Sequence, residues 1–156
     1  YTVSGNTYFG AYTRLKTNKT PSYDCAATED KFTVDTSTGN GKLTYPIALM
    51  TADEVSFAGG LYGTNAPTWY YYNNANGSST GDIDWWLLSP SYWRSSFAYV
   101  FSVYGLTCPG LLNDYFSVDD ARGVRPSVSL KSCVKYSTGN GSASDPYTIK
   151  ETTSGC

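Results

Sequence analysis

From Asp84 onward, apolar side chains gather in short runs suited to half-buried strands: Trp85-Trp86-Leu87-Leu88, then Phe97 to Tyr104, then Gly123-Val124-Arg125-Pro126-Ser127-Val128-Ser129-Leu130. Pro126 has no N–H to give to a ladder, so the last of these strands is predicted to carry an edge or a bulge there. One helix start is well signalled. In Thr51-Ala52-Asp53-Glu54 the threonine can cap the third helical amide while the glutamate reaches back. Met50 before the cap and Val55 at the fourth helical position make the matching hydrophobic staple. Gly59-Gly60 stops that helix after about two turns, because glycine enters the left-handed cap without steric cost. Residues 62 to 82 read as a long surface loop holding Trp69, Tyr70, Tyr71 and Tyr72, with no charge between Asn73 and Thr80. Residues 1 to 35 are polar and weakly periodic, with turns near Pro21 to Asp24 and a short strand at Lys31 to Val34. They read as an N-terminal extension packed on a domain formed by residues 36 to 156.

The segment Ser37-Thr38-Gly39-Asn40-Gly41 recurs as Ser137-Thr138-Gly139-Asn140-Gly141. Asn-Gly favours a tight hairpin, because both central residues of a type I′ turn need positive φ. Both copies therefore read as tips between strands. Two similar turn solutions explain them, a duplicated ancestor being the alternative.

Composition narrows the chemistry. The 156 residues contain no histidine, only 15% charged residues, and a net charge of −2. Without histidine there is no Ser-His-Asp triad, no histidine-ligated zinc and no imidazole acid/base step at neutral pH. Neither a phosphate backbone nor a bilayer has a matching feature, since the lysines are scattered and no apolar run approaches membrane-spanning length. In place of charge the chain has 15 tyrosines, 4 tryptophans, 19 serines and 19 threonines, the composition of a neutral, hydroxyl-rich aromatic surface. Cys25, Cys108, Cys133 and Cys156 lack CxxC spacing, so they read as disulfide candidates in an exported protein rather than metal ligands, with the pairing open. The chain begins at Tyr1 without methionine or signal peptide, so a preceding segment is expected to have been removed.

Four blocks in order carry a family resemblance: Leu43 to Val55, Trp85-Trp86-Leu87-Leu88-Ser89-Pro90-Ser91, Ala98-Tyr99-Val100, and Gly123-Val124-Arg125-Pro126-Ser127-Val128-Ser129-Leu130-Lys131-Ser132. They resemble a bacterial surface domain marked by a WWLRSP block and a closing GVRP strand, with Leu88 standing where many relatives have arginine. The resemblance implies a cell-surface protein of Gram-positive gut-type bacteria, often carried behind a pilin-like helix. It also implies a C-type-lectin-like fold, shared with sulfatase-modifying-factor relatives and with the variable proteins of diversity-generating retroelements. The expected architecture is thus a single α+β domain of C-type-lectin-like type, with short antiparallel strands, long loops and one or two short helices. Trp85 and Trp86 are expected as core anchors, and Arg125 as a structural residue holding the last strand.

Between the two best-matched blocks, residues 92 to 119 are rich in large side chains. Tyr92, Trp93, Arg94, Phe97, Phe101, Tyr104, Leu112, Asp114, Tyr115 and Phe116 are the candidate ligand-contact residues, with Tyr99, Val100 and Val103 read as core. Aromatic groups with one arginine and one carboxylate are the types that dominate binding hot spots. Trp69 and Tyr70 to Tyr72 form a candidate glycan platform. The segment from Tyr92 to Asp119 holds no Lys, Glu, Gln or Met, as adenine-directed diversification of asparagine codons would leave it, but these residues are so sparse in the whole chain that their absence does not discriminate, and Trp93 is not reachable from such a codon by adenine changes alone. Neither catalytic residues, a metal site nor a cofactor is expected. Asp82, Asp84, Asp119 and Asp120 read as turn aspartates, and Cys108 has no second cysteine near it for sulfatase-modifying chemistry. The expected role is a non-enzymatic extracellular module that binds protein or glycan. The alternative is the head of a pilin-like filament packing against identical subunits, and a sulfatase-modifying-type enzyme is third.

Overall fold

The computed structural model describes residues 5–24, 37, 44–45, 47–64, 84–105, 108, 110–128, 130, 132–142 and 144–150. A four-stranded antiparallel sheet organises them, in the order β1 (Asn6–Tyr8), β3 (Trp85–Arg94), β4 (Phe97–Val103), β5 (Leu112–Ser117). Residues facing one another across antiparallel strands share a sheet face, so the register assigns the side chains. Trp85, Val103 and Leu112 form one cross-strand row on the core face, while Trp86, Ser102 and Asn113 form the next row on the opposite face. The core is built from Ala11, Leu15, Ala52, Val55, Trp85, Leu87, Phe101, Val103 and Leu112, with Met50 and Tyr62 packed against it.

β2 (Ile47–Leu49) pairs with β6 (Pro126–Val128), Pro126 lying opposite Leu49. β7 (Tyr136–Thr138) pairs with β8 (Thr148–Ile149) in a separate hairpin. The helix predicted after Met50 is α2 (Ala52–Phe57), and its capping box is formed in both directions: Glu54 N–H donates to Thr51 Oγ1 at 3.1 Å and Thr51 N–H donates to Glu54 Oε2 at 2.7 Å. Gly59, at φ +108°, and the bond from Gly60 N–H to Val55 O close it.

The α+β, C-type-lectin-like expectation is corrected. Among the described residues, eight strands compare with α2 and with a single N-terminal helical element, in which three residues of α1 (Gly10–Tyr12) run into a π-helical turn, Thr13–Asn18. The fold is mostly β, with a curled antiparallel sheet. Helical signals are real but short: the glycine pair ends α2 after six residues, and the core lies mainly on the sheet. The N-terminal segment is built into this sheet rather than appended to it, since it supplies edge strand β1 and the core residues Ala11 and Leu15.

Three cations fasten the π-helical turn. Arg14 holds Asp53 through Nε at 3.0 Å and Nη2 at 2.8 Å, Lys16 reaches Asp114, and Lys19, in the left-handed region at φ 58°, donates to Tyr62 O at 3.1 Å. The Asn140-Gly141 segment does lie between strands, but in a longer loop than a two-residue turn: Asn140 Oδ1 accepts from Ser142 N–H, and Ser142 bridges to Asp145. Residues 31–34, the first Gly-Asn-Gly copy and residues 65–83, with Trp69 to Tyr72, lie outside the described residues.

Candidate functional site

The core face of the sheet is covered by α1 and α2 as far as Tyr12, which lies over Tyr8 and Tyr92; beyond it the face is aromatic and open at Phe97 and Tyr115. Tyr8, Tyr92, Tyr99 and Ser117 stand in one row across all four strands. Tyr92 and Tyr99 stack with centroids 4.4 Å apart and planes 11° from parallel, while Tyr12 packs on Tyr8 at 4.3 Å and edge-on to Tyr92 at 5.8 Å. Arg94 and Phe97 pair in the next row. Beside Tyr99 lies a groove of about 260 Å³ lined by Phe97, Tyr99, Tyr115, Ser117, Asp119 and Asp120. Tyr115 is 69% exposed and Phe97 47%.

Register shifts produce this face. One shift in β3 lies between Pro90 and Tyr92, so that both Ser91 and Tyr92 turn to the core side. Another, in β5 between Asn113 and Phe116, leaves Asp114 and Tyr115 opposite Phe101. Asp114 goes inward and Tyr115 outward to the groove.

Where the open and covered halves meet, Asp114 is buried and fully engaged. Its carboxylate accepts from Tyr62 Oη at 2.7 Å and Ser91 Oγ at 3.0 Å, and Lys16 Nζ lies 3.3 and 3.2 Å from its two oxygens. The Lys16 ammonium also sits over the rings of Tyr12, at 4.8 Å, and Tyr62, at 5.2 Å. Burial works against the Lys16 charge, but the Tyr62 hydroxyl and the Asp114 carboxylate outweigh it and hold its pKa above the ordinary lysine range. Burial, then the hydrogen bond to Asp114, pushes the Tyr62 phenol up to about 12. Burial and the charge of Asp114 likewise raise Tyr92. This network anchors the base of the aromatic face; it leaves no oxygen of Asp114 without a partner.

The predicted contact residues divide between environments. Tyr92, Arg94, Phe97 and Tyr115 lie on the open face. Phe101 and Leu112, expected as contacts, are core residues at 0% exposure, and Asp114, expected at the surface, is the buried anchor. Trp93 faces the opposite side with Ala98. Phe116 is on that side too, packed edge-on by Tyr104 at 5.4 Å and Trp86 at 6.5 Å and capped by the Arg122 guanidinium at 3.8 Å. Tyr104 is half-buried there, and burial, with the charges of Asp84 and Cys108, raises its phenol. Trp85 is a core anchor with the Arg125 guanidinium 5.3 Å from its ring, whereas Trp86 belongs to the opposite face.

Tyr8, Tyr12 and Asp119 belong to this face and were not among the predicted contacts, and Tyr99, read as core, is half-buried in its row. Cys108 is a free thiol and Cys133 is disulfide-bonded; Cys25 and Cys156 lie outside the described residues. Among the described residues no group of three His, Cys, Asp or Glu side chains could hold a metal ion, and no helix is long and apolar enough to cross a membrane. Comparison with known proteins returns no matching family, no matching curated protein and no matching solved structure.

Proposed function

We propose that the protein is a non-enzymatic, extracellular, surface-displayed module that binds a protein or glycan ligand through the open aromatic face. One observation carries this reading: Tyr8, Tyr92, Tyr99 and Phe97 share a sheet face that α1 covers only in part, with Tyr12 over Tyr8 and Tyr92, and Phe97 and Tyr115 stand exposed at a groove at its end. Large rings held by a sheet and by mutual stacking lose little freedom on binding, so the area they cover converts efficiently into affinity. The Lys16–Asp114–Tyr62 anchor supports the same reading, because it fixes the base of the face without offering a reactive group. The resemblance of the four sequence blocks to a bacterial surface domain supports the location.

The test is a screen of the full chain against arrays of extracellular proteins and glycans, with Phe97→Ala and Tyr115→Ala in parallel. Both side chains are exposed, so the variants should fold as the wild type does while losing the wild-type hits. Hits retained by both variants would place the ligand elsewhere.

Packing against identical subunits is favoured by a second feature. Ile47 and Val128 face one another across β2–β6 and are each about half exposed, and a groove of about 430 Å³ beside them is lined by Tyr23, Met50, Phe57 and Val128. Sedimentation of the wild type against Val128→Lys reads this directly: association that the lysine abolishes supports a subunit contact, and a concentration-independent monomer removes it.

A further inference from the structure

We propose that the groove between Phe97, Tyr99 and Tyr115 receives the cationic side chain of a lysine or arginine presented by a protein partner. The inference rests on the open face being a contact surface and adds what enters it. Three aromatic rings line the space, and Ser117, Asp119 and Asp120 complete it. Ring faces carry the negative lobe of an aromatic quadrupole, and together with carboxylates they make the surroundings that ammonium and guanidinium groups prefer.

The local charges agree. Asp120 shares Arg122 at 3.5 Å, and the Arg122 guanidinium lies over Phe116, on the other face of the sheet. Asp119 is exposed and belongs to none of the ion pairs among the described residues. Arg94 stands opposite Phe97 in the ladder and is exposed, so the negative end of the groove is the Asp119 end. The two charged groups of the lining, Asp119 and Asp120, are both anions, which favours a cationic occupant over a neutral sugar.

The occupant is taken to be a protein side chain because the groove is open, with Tyr115 standing well out of the surface. A long, flexible stem reaches such a site from a facing surface, and the net charge of −2 favours a basic partner.

The test is a titration of the full chain, followed by tyrosine fluorescence. The probes are a pentapeptide with a central lysine, the same peptide with N-acetyllysine, choline chloride and N-acetylglucosamine. The lysine peptide should saturate the signal, and acetylation should weaken it at least about tenfold. Asp119→Asn and Tyr115→Ala should each weaken it about fivefold or more, with thermal unfolding unchanged. Equal binding of the acetylated peptide, an Asp119→Asn variant with wild-type affinity, choline binding without lysine binding, or no response to any probe would each overturn the proposal. A response to N-acetylglucosamine alone, abolished by Tyr115→Ala, overturns the cationic occupant while preserving the contact face. The face itself fails only if the array hits survive both of its variants.

Discussion

Replacing Asp114 by alanine isolates the anchor beneath the aromatic face, and the structure supplies the terms. Ser91 is fully buried and its hydroxyl donates to Asp114 at 3.0 Å, so the variant strands a buried polar group, which costs about 1–3 kcal/mol. Tyr62 is only partly buried and its hydroxyl can turn to water, so loss of its 2.7 Å bond costs about 1 kcal/mol. The Lys16 side chain is 34% exposed, so its ion pair is screened and adds at most about 1 kcal/mol. The sum is about 3 kcal/mol, a drop in Tm of about 6–12 °C for a chain of this size. Lys16→Met should cost about 1 kcal/mol or less, and a double-mutant cycle between the two positions should return a coupling of about 1 kcal/mol. Chemical denaturation followed by tryptophan fluorescence measures all three, since Trp85 lies in the core. An Asp114→Ala variant within about 0.5 kcal/mol of wild type would refute the anchor, as would a coupling accounting for most of the loss.

Three further outcomes follow from the same geometry. Because the Tyr62 phenol is raised from its ordinary value near 10 to about 12, its contribution is complete below pH 10 and is lost as pH rises through the folded pKa. The Tm advantage of wild type over Tyr62→Phe should therefore shrink between about pH 10 and 12, and a constant difference would contradict the assignment. Phe101→Ala should cost about 3–5 kcal/mol by opening the core, whereas Tyr115→Ala should stay within about 0.5 kcal/mol; equal losses in a denaturation series would reverse their placement. If residues 92–119 are diversified, sibling genes should differ at Phe97, Tyr115 and Asp119 and agree at Phe101, Val103 and Leu112, which sequencing of related isolates reads directly.

Local signals were legible in the sequence and long-range ones were not. The capping box of α2 was readable because donor, acceptor and stop all lie between Thr51 and Gly60. Strands β3 and β4 were readable from runs of large residues, but β5 was not, and neither was the face each residue takes. The register shifts at Ser91–Tyr92 and around Asp114–Tyr115 change the inside-outside parity, so simple alternation from Trp85 misplaces everything beyond them. The turn joining β3 and β4 is Ser95-Ser96, with Ser95 at φ 56°, and neither serine advertises a left-handed conformation as Asn-Gly would. Asp114 looked like a surface carboxylate because the lysine that holds it is 98 positions away. The aromatic face was half visible: Tyr92, Phe97 and Tyr115 were found in the segment itself, while Tyr8 and Tyr12 reach it from a weakly periodic N-terminus.

The contact face and the β2–β6 patch make opposite demands on one measurement, amide chemical-shift mapping of the labelled chain with the first ligand that the array screen returns. The account predicts perturbations concentrated at Tyr92 to Tyr99 and Tyr115 to Asp120, with Ile47 to Leu49 and Pro126 to Val128 unchanged. Perturbations confined to β2 and β6, with the tyrosine row silent, would contradict it.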